Sequence, residues 1–303
     1  MPIIHVNAGD GLPPTLPLDD AHDDCGPVVI MVHGFKYAPG HATECPHRHI
    51  FALAPERDCF KVVSWPQGLG FDGRDAREGL AIGFGWNARG SLWRAYAEAA
   101  RAGAALARLV DALRQRVPHR TIHVIAHSFG ARVVLSALAQ LAPGALGRII
   151  LLAGAEFGHH AAAALATPAG RTAEIINVTT RENDLFDALL EWLIPAPARG
   201  DRSLGLALAS GPNVLTLQLD DGDTLDVLRG AGFVIAPPVA RICHWSPYTR
   251  AGALGFYARL LREPERLSLA QLRAALPDRA APRWSRLAPG LRLPLPIGRK
   301  ASS

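Results

Sequence analysis

Five short runs dense in valine, isoleucine and leucine limit what this 303-residue chain can fold into. They are PVVIMV ending at residue 32, FKVVSW at 60–65, TIHVIAHS at 121–128, RIILLAG at 148–154 and EIINVTT at 174–180. None alternates apolar with polar, so each predicts a strand buried on both faces, the signature of a parallel sheet. NVLTLQL at 213–219 predicts a sixth. Parallel neighbours need crossover connections, and helical stretches supply them. SLWRAYAEAARAGAALARLVDALRQRV (91–117) predicts a helix that Ser91 caps and Pro118 stops. ARVVLSALAQLA (131–142) predicts another directly after the third strand, and YTRAGALGFYARLLR (248–262) a later one. The class is α/β, a doubly wound, mostly parallel sheet flanked by helices.

A hydrophobic fraction of 49% supplies a core for most of this length. The 32 Lys and Arg against 27 Asp and Glu leave +5. The arginines are scattered singly rather than gathered into a stripe that follows a phosphate backbone, so no nucleic-acid partner is expected. No apolar stretch reaches the roughly 18 residues of a membrane span, and the first residues lack a basic region followed by an apolar one. A cytoplasmic protein with no membrane insertion is the expectation. Cysteines 25, 45, 59 and 243 form neither a disulfide framework nor a CxxC pair. The expected organisation is a leader at 1–24, a catalytic domain at 25–268, and a C-terminal extension at 269–303 that wraps the body or remains mobile.

The stretch HVIAHSFGARVV (123–134) sets Ser128 between a buried strand and a helix. Small residues at 126 and 130 let the two backbones approach closely, as in a nucleophile elbow with Ala126 in place of the first glycine. A serine hydroxyl is a weak nucleophile at neutral pH and needs an adjacent base. His127 points elsewhere from a sharp turn and His123 lies inside the strand. His244, in RICHWSPYTR downstream of every predicted strand, is the candidate base. A carboxylate on a strand-end loop orients such a ring, and RENDLFD after the fifth strand offers Glu182, Asp184 and Asp187. Asp184 is the expected acid, Glu182 its near rival, and Asp187 belongs to the following helix. Oxyanion donors are expected from the backbone N–H groups of Phe129, at the helix start, and Phe35, after His33-Gly34.

With VVIMVHGF (28–35), HVIAHSFGARV (123–133), NVTTREND (177–184) and CHWSPY (243–248), the sequence resembles the α/β-hydrolase superfamily. WPQGLGF and GWNARGSLW resemble poorly characterised bacterial members of it. The resemblance implies an α/β-hydrolase fold with a mostly parallel eight-stranded sheet and no cofactor. It also implies a serine triad in the order Ser128, Asp184, His244 that cleaves a carboxylic ester or thioester of a small acyl substrate through an acyl-enzyme. An acyltransferase with the same triad and a non-catalytic ligand- or partner-binding protein are the competing readings. His41, Cys45, His47 and His49 carry zinc-ligand chemistry without the spacing of a compact finger, so no metal is expected and the cluster is read as a rim of the substrate pocket. GLGFDG and GFGWNARG lack any nucleotide-loop fingerprint.

Overall fold

The computed structural model describes residues 3–16, 26–75, 78–208, 210–278 and 280–287. Segment 17–25, which closes the expected leader and holds Cys25, and the end of the C-terminal extension at 288–303 fall outside them. The sheet is built from β1 (Ile3–Asn7), β2 (Val28–Val32), β3 (Leu80–Gly85), β4 (Ile122–His127), β5 (Arg148–Leu152), β6 (Glu174–Thr179) and β7 (Val214–Gln218). All pair in parallel, in the order β1-β3-β2-β4-β5-β6-β7. Around them run α1 (Trp65–Gly68), α2 (Leu92–Arg116), α3 (Gly130–Leu138), α4 (Gly158–Leu165), α5 (Pro168–Thr172) and α6 (Asp184–Leu193). After these come α7 (Leu204–Ala207), α8 (Gly222–Gly230), α9 (Ser246–Thr249), α10 (Ala253–Arg262) and α11 (Leu269–Ala275).

Unbroken apolar runs follow from this layering. Every residue of β2, β4 and β5 is buried. Alternate side chains serve opposite faces: Ile30 and Val124 join Leu106 and Val110 of α2, whereas Met31 and Ile125 join Tyr257 and Leu260 of α10. Each such side chain contributes about 1.5–3 kcal/mol by leaving water. The 25-residue helix α2 starts where the Ser91 side chain accepts from the Arg94 N–H, as its sequence predicts.

Three expectations are corrected. FKVVSW is not a strand: its serine accepts from the Gln67 N–H and caps α1, with Pro66 in the first turn, so the segment turns into a short helix. The strand between β1 and β2 is instead LAIGFG, inside the segment 66–90 whose seven glycines predict a loop; at Gly83 any side chain would strike the Phe51 ring. The leader also contributes to the sheet, since β1 pairs with β3 along its whole length. The described residues hold seven strands, one fewer than the resemblance implies. In the C-terminal extension, α11 buries Leu269 and Leu272 beside β7.

Strand order reverses between β2 and β4, so the loops leaving their C-terminal ends diverge and open a crevice at the switch point.

Candidate active site

Ser128 is the residue between β4 and α3, and its φ of 57° puts a non-glycine residue in the left-handed region. Such a conformation costs energy and persists only where its surroundings fix it. Here the Ser128 N–H donates to Leu152 O at 3.0 Å, and Ser128 O accepts from both Ala131 and Ala155. Close packing completes the turn: a methyl on Gly130 would lie 2.6 Å from Val32 O, and one on Gly34 would lie 2.6 Å from the Ser128 Cβ. Ala126 fits without strain in the fully buried end of β4. Among the described residues the Ser128 hydroxyl is committed to no hydrogen bond, and it lines a cavity of about 340 Å³.

His244 lines the same cavity. Its ring stacks on Phe186 at 4.7 Å between centroids and sits 4.5 Å from that of His127. Its Nδ1 lies 2.6 Å from Asn183 Oδ1. An amide oxygen only accepts, so Nδ1 carries the proton and Nε2 keeps a lone pair toward the cavity. Burial among these rings, with His127 adding to it, holds the His244 pKa well below 6.5.

The expected acid is therefore corrected. Asp184 does not face His244: its carboxylate accepts from the Trp284 N–H at 2.6 Å and lies 3.2 Å from Arg181 Nη1. Burial raises its pKa against the opposing pull of Arg181. Glu182 is also taken, by a buried ion pair with Arg250. The reason is local. Thr180 caps a tight 3-10 turn over Arg181–Asn183 before α6 begins, and three residues per turn bring the side chain at 183, not 184, toward His244. Asn183 occupies the N-cap of α6, where an asparagine usually satisfies the helix's own N–H groups. Its side chain makes no cap bond there and is turned to the imidazole instead.

Phe35 and Phe129 flank Ser128 with their rings 5.9 Å apart, and both line the cavity. Neither backbone N–H is taken by a protein acceptor among the described residues. The loop carrying Phe35 is held by a bond that sequence reasoning missed. Buried His33 has Nδ1 at 2.9 Å from Gly34 O and accepts the Trp86 N–H on Nε2, while the Trp86 indole donates to His33 O at 3.0 Å. Burial pushes the His33 pKa down to about 3, which keeps the neutral ring this bonding needs. His127, read as pointing away from the site, lines the cavity and donates from Nε2 to His244 O at 2.9 Å, tying the base loop to β4.

The remaining walls are apolar, chiefly Leu92, Leu190, Leu193 and Tyr248, with Lys36 and Lys61 the charged members. The histidine loop lies behind this wall. His47 meets Asn7 Oδ1 at 2.8 Å, His41 accepts the Thr43 and Glu44 N–H groups, and His49 contacts the ring of Tyr37, a cavity residue. Among the described residues no three His, Cys, Asp or Glu side chains cluster to suit a metal ion. No helix there is long and apolar enough to cross a membrane.

Residues 19–153, which include Ser128, match the protein family described as "Alpha/beta hydrolase of unknown function (DUF900)". No curated protein matches the chain. Among solved structures the chain is similar to a Trichoderma reesei cutinase in complex with a C11Y4 phosphonate inhibitor, with 17% identity, 44% of this chain and 54% of that chain covered, and a TM-score of 0.25. It is similar to an acetyl xylan esterase, an iodinated complex, at 13% identity, with 84% and 100% covered and a TM-score of 0.34. It is also similar to the phospholipase PlaB from Legionella pneumophila in complex with thio-NAD, at 14% identity, with 58% and 43% covered and a TM-score of 0.25. The chain spans about half the length of that cutinase. At these scores the likenesses carry nothing about substrate.

Proposed function

We propose that this chain, an α/β hydrolase, is a serine hydrolase that cleaves a carboxylic ester or thioester of a small, largely apolar acid. The observation that carries the reading is the strained Ser128 facing the same cavity as a neutral His244 whose Nδ1 proton is held by Asn183. Ser128 Oγ attacks the acyl carbon while His244 Nε2 takes its proton. The tetrahedral oxyanion is received by the Phe35 and Phe129 N–H groups. His244 then protonates the leaving alcohol or thiol, and a water deprotonated by the same nitrogen releases the acid and restores Ser128.

Asn183 orients the ring as a carboxylate does and supplies no charge to the imidazolium that forms during attack. That amide also favours a second reading, a ligand-binding protein with an unreactive serine. Intact mass after treatment with a small fluorophosphonate separates the two. The expected result is one adduct on Ser128, absent from Ser128→Ala and strongly slowed in His244→Ala. A folded wild-type protein that stays unlabelled overturns the hydrolase reading. Turnover of short-chain esters falls by about 10⁴-fold or more in Ser128→Ala.

A further inference from the structure

The mouth of the cavity carries apolar side chains that the chemistry above does not use. Phe60 is 69% exposed and packs edge-on to Trp245, a cavity residue, at 5.9 Å. Across the opening, α6 presents Leu189, Trp192 and Leu193 at spacings i, i+3 and i+4, which places them on one outward stripe. Leu189 and Leu193 line the cavity, and Trp192 beside them is 72% exposed. Trp93, 55% exposed, donates its indole N–H to Leu193 O at 2.6 Å and extends the stripe to the start of α2. Two tryptophans, two leucines and a phenylalanine thus edge one opening, whereas singly scattered exposed apolar residues need no explanation.

Cations are set among them. Lys36 and Lys61 line the cavity, Lys61 Nζ standing 3.9 Å over the Trp245 ring, and exposed Arg94 follows Trp93. None of the three forms an ion pair among the described residues. Amphipathic aromatics with unpaired basic residues are the chemistry of an anionic lipid interface, where indole rings sit at headgroup level and each cation is attracted to the surface.

We propose that this face docks on anionic phospholipid bilayers, with the active-site mouth held against the headgroups. Docking needs no turnover, so it is read separately from the hydrolase assignment. Full-length Ser128→Ala protein is sedimented with vesicles of phosphatidylcholine alone and of phosphatidylcholine mixed with phosphatidylglycerol, while tryptophan emission is followed. The expected result is binding to the anionic vesicles with a blue shift, weakened by added salt. The double variant Phe60→Ser/Trp192→Ser, changed only at exposed positions, binds about tenfold more weakly or worse. In the Ser128 background the same two changes leave turnover of a soluble short-chain ester intact. No binding to either vesicle, or binding that the double variant retains in full, overturns the proposal. A dimer that Trp192→Ser dissolves, with no vesicle binding, gives the face to a second copy and overturns it equally.

Discussion

At the scale of single residues, the partner of His244 decides the pH dependence of the proposed chemistry. An amide at 183 leaves the imidazole without a carboxylate to raise its pKa, and burial lowers it. The base stays neutral, and therefore competent, as pH falls through 6.5, so kcat/KM holds its plateau into mildly acidic solution. Asn183→Asp places a negative charge beside Nδ1 and favours the imidazolium. The acid limb of the profile moves to higher pH, and kcat on the plateau rises. Asn183→Ala frees the ring to rotate and costs about 10²-fold or more in kcat. A profile of wild type and both variants from pH 5 to pH 9 checks all three; an unchanged acid limb in Asn183→Asp removes Asn183 from the site. The serine was legible because an elbow requires a strand, a small residue, a serine and a glycine in fixed succession. The ring's partner was not, because REND offers four polar side chains in a row. Which of them faces His244 depends on one tight turn, whose effect is a rotation of the chain with no change in composition.

At the scale of elements, contact between α3 and β2 sets the position of Ser128. Gly130→Ala puts a methyl 2.6 Å from a backbone carbonyl that has no room to move. The substitution destabilises by about 1–3 kcal/mol as an overpacked core change does, and it displaces the serine. Gly255→Ala, in α10 with nothing within 4 Å of the added carbon, instead stabilises by about 0.5–1 kcal/mol. Urea unfolding of the two variants gives shifts of opposite sign; equal shifts contradict the close approach at 130. Strands of plain β-branched sequence were legible, β2, β4, β5, β6 and β7 among them. LAIGFG was hidden because its glycines are there to admit neighbours, and glycine otherwise reads as loop. FKVVSW misled because its two valines lie beside an exposed phenylalanine and a proline-started helix.

At the scale of the whole molecule, buried neutral histidines set the acid limit of stability. Burial lowers His33 to about 3, His47, His123 and His127 to about 4, and His244 well below 6.5, so each takes up a proton on unfolding once pH drops below the ordinary 6.5. Buried Asp187, raised to about 7, acts in the opposite sense, since it releases a proton on unfolding between about 3.8 and 7. The protons gained by these rings outnumber those lost by Asp187 and by Asp184, whose pKa burial also raises, so stability falls as pH decreases from about 6.5 toward 4. The slope is up to about 1.4 kcal/mol per pH unit for each net proton. Urea midpoints measured at pH 7, 6 and 5 decrease in that order, and midpoints that rise on acidification contradict the buried neutral rings. Strand order has a consequence during synthesis as well. β1 and β2 leave the ribosome before β3, yet no bond joins them, because β3 lies between and is made some fifty residues after β2. Until residue 85 has emerged, the five apolar residues of β2 have neither neighbour in place. The nascent chain therefore carries the apolar β2 unpaired until β3 emerges, an interval in which a holding chaperone has a fully apolar strand to protect.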